Sequence, residues 1–406
     1  MSETRTADIL VIGGGILGLS VAREAARRGL GRVVVLEKEA RCGAHASSRN
    51  SGVLHAGFYY DADSLKARFC REGNAALAAW CETHRLPLRP CGKLVVARSE
   101  ADLPGLDRLY ERGRANGVEL ELVDEADLRR IEPAARTTGR ALYSPGTASV
   151  DPAQVMAALE ADVREAGVDV RAGTAYRGLE PRPGAAAPHR IRTSAGRLEV
   201  GFVVNAAGLY ADRVARDFGF SRGHGILPFR GRYLRLPASA GRLRTHIYPV
   251  PDPAAPFLGV HLTVAVSGEV TVGPTAGPAL WREHYRGIAG LRASELLEIA
   301  GRGAGLWLRD DFGFRRLARA EIRKRSRWTL IRSAHALARG LSGLGATWGE
   351  PGLRAQLVDL AARRLEMDFR VEGDAASLHV LNAVSPGFTS AFPFARWLVD
   401  RIELSG

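Results

Sequence analysis

Residues 7–18 read Ala-Asp-Ile-Leu-Val-Ile-Gly-Gly-Gly-Ile-Leu-Gly, and this stretch decides how the chain begins to fold. Its apolar half, through Ile12, suits a short strand buried on both faces. Gly13, Gly15 and Gly18 follow in G-x-G-x-x-G register, and residues 16–28 continue as an Ala/Leu/Arg stretch of helical character closed by Gly29. A second apolar run, residues 32–37 (RVVVLE), ends in Glu37, 24 residues after the first glycine. Each part has a physical task. Gly13 permits the tight turn, Gly15 lets a pyrophosphate approach the backbone, and Gly18 lets helix and strand pack closely. The helix N-terminus offers free N–H groups and a positive dipole end. Glu37 can accept hydrogen bonds from an adenosine ribose with an unphosphorylated 2′-OH. Together these features predict a dinucleotide site, without separating FAD from NAD.

The rest of the composition narrows the class. The chain has 406 residues, 46% hydrophobic and 25% charged, which is a folded composition with room for two or three domains. Its 57 Lys+Arg against 44 Asp+Glu give a formal net charge of +13. Lysine occurs only at Lys38, Lys66, Lys93 and Lys324, so the basic excess is arginine. No nucleic-acid motif accompanies it, and the expectation is that the chain does not bind nucleic acid. Cys42, Cys70, Cys81 and Cys91 lack CxxC spacing and no His-x-x-x-His accompanies them, which argues against a zinc site and predicts reduced, mostly buried thiols. With Glu3 and Asp8 and no basic n-region, the N-terminus does not read as a signal peptide. The apolar run from Ile9 to Val21 is about two-thirds of a membrane span and is interrupted by glycines. The expected location is cytoplasmic, or peripheral at a membrane.

Residues 45–60 (HASSRNSGVLHAGFYY) are too polar for a core strand and too rich in Gly and Ser for an ordinary helix. They read as a loop that wraps a polar ligand. At this point the sequence resembles the D-amino-acid oxidase-like superfamily of FAD-dependent oxidoreductases and, within it, the L-2-hydroxyglutarate dehydrogenase/oxidase family. NSGVLHAGFYY (50–60) is the most specific run, with SLKARFC (64–70), CGKLVVA (91–97), PFRGRYLRL (228–236) and IYPVPDPAAPFLGVHLT (247–263). GPTAG (273–277), PGLRAQ (351–356) and NAVSP (382–386) complete the series in family order.

The resemblance implies an α/β protein with an α+β substrate domain. A discontinuous Rossmann-like FAD-binding domain (1–85, 148–222, 338–406) would carry an inserted antiparallel-sheet substrate domain (86–147, 223–337). Strand-like GVDVRAG (167–173) and GFVVNAAG (201–208) would return to the FAD domain, and the alternating stretch 223–337 would form a sheet over the flavin. Beyond Gly13, Gly15, Gly18 and Glu37, the implied cofactor contacts are Lys38, Ser47, Ser48, Arg49 and Asn50, then Tyr176, Ala207 and Gly208. Gly352, Leu353, Ser385 and Thr389 would close the site, followed by an amphipathic helix in FARWLVDRI.

The implied reaction is oxidation of a 2-hydroxy acid to the 2-oxo acid by hydride transfer to flavin N5, with L-2-hydroxyglutarate as the default small-molecule carboxylate substrate. Removing the hydroxyl proton requires a base neutral near pH 7, which favours histidine. His55 is the first candidate and His261 the second, since its alternating strand can point it either at a pocket or into the core. Carboxylate recognition calls for the arginine fork. Arg230 and Arg354 are the candidates, with Tyr233 and Tyr248 as phenol partners. Lys66 and Lys93 stand out by rarity, and either can equally form a structural ion pair.

Three departures from the family pattern touch the substrate side: Trp281 where the family carries lysine, Val384 for a proline, and Gly387-Phe388 for two alanines. They leave room for another 2-hydroxy acid, an amine, or a hydroxyacyl group tethered to a carrier protein. The basic stretch 313–340 keeps partial helical spacing. It reads either as a solvated helix face or as a dock for an anionic partner, a membrane surface or an acidic carrier protein.

Overall fold

A parallel core organises the nucleotide half. The computed structural model describes residues 5–402 apart from 182–183, 185–186, 238, 240–241, 253–257, 325 and 344. Glu3, Arg325 and the middle of the 247–263 run therefore lie outside the described residues. The strand Arg5–Ile12 pairs in parallel with Val33–Leu36 on one side and Gly196–Asn205 on the other. Asp169–Arg171 extends the sheet beyond 33–36, and Ser377–Asn382 adds beside 196–205. Ile9, Leu10 and Val11 are fully buried, as the unbroken apolar run predicts. The helix Ile16–Arg27 follows the glycine turn, and Gly29 beyond its end takes φ +68°. The closing helix expected near the C-terminus is Ala391–Val399.

The chain divides into two compact units. One comprises Met1–Ser48, Pro152–Leu227 and Ala355–Gly406, the other Arg49–Asp151 and Pro228–Arg354. This differs from the expected boundaries in that residues 49–85, 148–151 and 338–354 group with the second unit and residues 223–227 with the first. The reason is short pairing that leaves no periodic signature. Val53–Leu54 pairs with Ala148–Val150, which pairs with Leu88–Arg89, and Thr347–Trp348 pairs with Leu234–Arg235.

The second unit is built on an eight-stranded sheet. Its order is 347–348, 234–235, 270–273, 261–264, 246–249, 93–96, 140–144 and 121–124. All neighbours run antiparallel except Lys93–Val96 beside His246–Pro249, which are parallel. The alternating pattern does not continue to 337 as a sheet. Strands end at Gly277–Pro278, and helices Ala293–Arg309, Phe314–Arg323 and Arg327–Leu337 follow. Register divides the sheet into two faces. Leu94, Val96, Ile247, Leu262, Val264 and Val272 point to one side and share a core with Leu330, Ile331, Ala334 and Leu337 of the 327–337 helix. The other side receives Lys93, His246, Tyr248, His261 and Thr263.

Candidate active site

In the first unit Gly13 and Gly18 meet the steric demands that their spacing predicts. Gly13 has φ +114°, and a Cβ there would lie 2.5 Å from the Ala206 carbonyl oxygen. A Cβ on Gly18 would lie 1.9 Å from the Gly13 carbonyl oxygen, so helix and strand meet only because it is absent. Gly15 is the N-cap residue of Ile16–Arg27 and supplies no side-chain cap. Ser47 Oγ accepts from Ile16 N–H at 2.9 Å, which places a hydroxyl over the helix N-terminus. Glu37 is buried at the end of Val33–Leu36 and accepts from Gly14 N–H at 3.0 Å and from Glu39 N–H at 2.9 Å. A carboxylate has about four acceptor positions, so capacity remains for a ribose.

The other expected cofactor residues divide between the units. Lys38 bonds Glu39 and lies 3.0 Å from His45 Nε2. Ser48 N–H donates to the His45 carbonyl at 3.2 Å. Tyr176 donates its hydroxyl to Asp217 at 2.8 Å, Ala207 N–H donates to Asn205 Oδ1 at 3.1 Å, and Gly208 has φ +54°. Thr389 is buried and Ser385 exposed, and between the turn they bracket and the closing helix Ser390 Oγ is buried with no hydrogen-bond partner among the described residues. Arg49, Asn50, Gly352 and Leu353 belong to the second unit. There the Arg49 guanidinium lies 4.5 Å from the Tyr285 ring centroid, Asn50 Oδ1 accepts from Gly52 N–H at 2.9 Å, and Gly352 packs against the Arg49 carbonyl.

The polar face of the second unit's sheet is a buried cluster of titratable side chains. Lys93 is fully buried, with Nζ 3.3 Å from His55 Nδ1 and 4.6, 5.3 and 5.5 Å from the ring centroids of Tyr248, Tyr59 and Phe58. His55 follows the strand Val53–Leu54, and its carbonyl accepts from Cys70 Sγ and Asn74 Nδ2, both at 3.2 Å, on the helix Leu65–Thr83. Tyr248 stacks on His261 with ring centroids 3.8 Å apart and 12° between planes, and Tyr233 meets His261 edge-on. His261 Nδ1 donates to the Gly259 carbonyl at 2.8 Å, which leaves Nε2 as the acceptor of the neutral ring. His246 Nδ1 accepts from Val264 N–H at 3.1 Å.

Burial sets the protonation of this cluster. It pushes the His55 and His246 imidazoles well below the usual range, and the Lys93 charge adds to the effect. His261 is pushed down to about 3, chiefly by burial, against the opposing pull of the Gly259 carbonyl. The Lys93 amine is brought down to about 7, again by burial. Tyr248 and Tyr233 are raised by burial, with the positive charge of Arg354 acting against that rise. The same charge acts on His261, so Arg354 belongs electrostatically with the cluster. The result is a set of neutral histidines beside a permanent guanidinium.

Comparison with known proteins gives this arrangement a lineage. The DAO family, FAD dependent oxidoreductase, matches residues 8–401. The chain belongs to that family.

Among relatives of this oxidoreductase is the mitochondrial L-2-hydroxyglutarate dehydrogenase of Nematostella vectensis, 35% identical over 97% of this chain and 90% of its own length. The L-2-hydroxyglutarate dehydrogenase of Escherichia coli K12 is 34% identical over 98% of this chain and 93% of its own length. Among solved structures, L-α-glycerophosphate oxidase from Mycoplasma pneumoniae superposes with a TM-score of 0.77 at 21% identity, covering 98% of this chain and 95% of that one. Glycine oxidase from Geobacillus kaustophilus gives 0.72 at 20% identity, covering 98% and 96%. These likenesses show the fold, α/β with a Rossmann-like FAD unit.

The first unit fits FAD on its own observations: a helix N-terminus whose N-cap residue is glycine, a turn that excludes side chains, an acid with spare acceptor capacity and, among the described residues, an orphaned hydroxyl at Ser390. Of the residues proposed from the sequence for the oxidoreductase's chemistry, the structure gathers His55, His261, Tyr248 and Arg354. Arg230 lies with its NH1 3.4 Å from His284 Nε2, and that ring stacks on Trp281 at 3.8 Å. Trp281 is buried and donates Nε1–H to the Ala289 carbonyl at 3.0 Å. Lys66 is buried with Nζ 5.9 Å from the Tyr60 ring centroid. The sequence reading missed His246 and His284 outright, and it left Lys93 undecided. For His246 the available signal was the alternation of residues 246–249, which repeats that of 261–264.

Proposed function

We propose that this FAD-dependent oxidoreductase converts L-2-hydroxyglutarate to the 2-oxo acid. The observation that carries the chemistry is the sheet face where the buried Lys93, Tyr248 and His261 meet the half-buried His55, with Arg354 acting on it. The names of the full-length relatives support the substrate. FAD, when bound, supplies the two-electron acceptor for the hydrogen on C2. What the chain contributes is charge recognition and proton handling. A substrate with two carboxylates suits two guanidinium groups, and Arg354 and Arg230 are assigned to them. His55 takes the hydroxyl proton.

Lys93 is the positioning residue beneath it. When its amine is neutral, it can accept His55 Nδ1–H and leave the Nε2 lone pair available as base. When it is an ammonium, Nδ1 must accept and Nε2 carries the proton instead. Base competence therefore rises with pH through about 7. His261, held neutral with Nε2 unprotonated, and Tyr248 stacked on it orient the hydroxyl. FAD binding is assigned to Gly13, Gly15, Gly18, Glu37 and Ser47, with the remaining contacts expected from the sequence as part of the same proposal.

Anaerobic reduction of the holoenzyme by a panel of 2-hydroxy acids and amines tests this reading. L-2-hydroxyglutarate is expected to bleach the flavin fastest, and bleaching by an amine alone would overturn it. A second reading is favoured by one observation: His284, 3.4 Å from Arg230, stacks on Trp281, the position where the family resemblance leads one to expect a lysine. On that reading the carboxylate nearer Arg230 belongs to a different 2-hydroxy acid, and another acid in the panel reacts faster. Docking to an anionic partner through 313–340 is part of the proposal as well, with the protein peripheral rather than spanning. No helix among the described residues is long and apolar enough to cross a membrane.

A further inference from the structure

The turn after Gly277–Pro278 holds an imidazole at which two N–H donors are aimed. Phe229 and Arg230 pair antiparallel with Pro278 and Gly277, and the chain then turns through 279–285. In that turn Leu280 N–H donates to His284 Nδ1 at 3.1 Å. A guanidinium nitrogen of Arg230 approaches the other ring nitrogen, Nε2, at 3.4 Å. A neutral imidazole has one lone pair in the ring plane, so it can accept from only one of them. Leu280 N–H is fixed in the main chain. Nδ1 therefore holds the lone pair and Nε2 carries the proton. The Nε2–H and the guanidinium then meet donor to donor.

The surroundings hold the ring in this position. His284 is buried and stacks on Trp281 with 28° between the planes, and its main-chain N–H donates to the Trp281 carbonyl at 3.2 Å. Trp281 is in turn tied to the Ala289 carbonyl through its indole N–H. The next residue, Arg282, is fully buried. Its main-chain N–H donates to Glu295 at 3.0 Å and its guanidinium to Glu298 at 3.2 Å, both on the helix Ala293–Arg309. Neither the stack nor the turn leaves the imidazole an easy rotation away from Arg230. Two converging donors, one with a permanent charge, suit an anionic oxygen acceptor better than they suit each other.

We propose that His284 Nε2–H and Arg230 together seat the second carboxylate of the substrate, which makes His284 a residue that selects dicarboxylates. This rests on the assignment of Arg230 to a substrate carboxylate and adds a second donor to it. A carboxylate lying across the pair accepts from both groups and ends their donor-to-donor contact. A monocarboxylate of the same length leaves the two donors facing each other, so the site discriminates by what it leaves unmatched as well as by what it binds. Trp281 sets the plane of the ring that makes the contact.

The test uses the oxidised holoenzyme and two acids without a 2-hydroxyl group, so that binding is read without turnover. Glutarate has two carboxylates and pentanoate one at the same chain length, and each is titrated by its perturbation of the flavin spectrum. Wild type is expected to bind glutarate about tenfold more tightly than pentanoate, or more. His284→Phe keeps a ring on Trp281 and removes the donor. It is expected to weaken glutarate by about tenfold and to leave pentanoate unchanged. His284→Gln, whose amide nitrogen can reach the Nε2 position, is expected to recover most of the glutarate affinity. With L-2-hydroxyglutarate as substrate, His284→Phe should raise KM and leave kcat nearly as it was. Equal affinity of wild type for the two acids would overturn the proposal. So would an unchanged glutarate affinity in His284→Phe, or an equal loss of both acids. Preferential, His284-dependent glutarate binding without bleaching by L-2-hydroxyglutarate would support the seat and overturn the proposed oxidation instead.

Discussion

The nucleotide turn at 13–18 and the polar sheet face around Lys93 make binding sites in opposite ways. The turn works through what is missing. Gly13 and Gly18 omit side chains so that backbone can approach backbone, and the helix end presents N–H groups of the main chain. The sheet face works through what is present: a lysine, three histidines and two tyrosines held where an apolar sheet would have a second core. One is encoded within a few consecutive residues, the other by strand register across most of the second unit. They should therefore fail differently.

The largest expected effect is at the turn. Gly18→Val places a side chain against the Gly13 carbonyl, where even a Cβ would sit at 1.9 Å. The purified variant is expected to retain less than about a tenth of the FAD of wild type, read as flavin absorbance per chain, because the turn must open by more than the helix can accommodate. If FAD content is unchanged, the turn is not the cofactor's cradle.

Next comes the carboxylate fork. Arg354→Lys keeps the charge and loses the planar donors, and is expected to raise KM for the dicarboxylate by about tenfold to a hundredfold at full FAD content. An unchanged KM would remove Arg354 from substrate recognition.

The smallest effect concerns stability and runs the opposite way to function. Folding holds the Lys93 amine at about 7, against 10.5 when exposed. Between those values the unfolded chain binds a proton that the native state does not, so wild-type stability rises as pH climbs from about 7 toward 10.5 and is least below 7. Lys93→Met removes the buried amine and leaves a side chain suited to the surrounding rings. It is expected to raise Tm at pH 7 by roughly 4 °C, with the advantage shrinking toward pH 10, while the rise of kcat/KM through about pH 7 disappears. Thermal unfolding across that range, paired with the pH profile, separates Lys93 as a positioning residue from Lys93 as a packing residue.

The same contrast explains what could be read from the sequence. The strand–turn–helix–strand unit was legible because its physics is local: an apolar run, glycines at fixed spacing and an acid at the end of the next strand. His55, His261, Tyr248 and Arg354 were reached through motif resemblance, and only register shows that His261 faces the polar side. Lys93 was conspicuous as one of four lysines, but its place beside His55 depends on the parallel pairing of 93–96 with 246–249, which no local pattern announces. The two compact units part from the expected boundaries mainly where two-residue strands pair. The orientation of the helix Ala293–Arg309 was not legible, because a run such as LLEIAGRGAGLWL (296–308) looks the same whichever side faces in. Only the buried Arg282, drawing Glu295 and Glu298 inward, settles which.

The central claim is that a neutral histidine, the half-buried His55, takes the substrate hydroxyl proton. Single-turnover anaerobic bleaching of the bound flavin by L-2-hydroxyglutarate tests it most directly, comparing wild type with His55→Asn. The account predicts rapid bleaching in wild type and bleaching about a hundredfold slower, or slower still, in the variant, with the same flavin content and oxidised spectrum. Equal bleaching rates in the two proteins would contradict it.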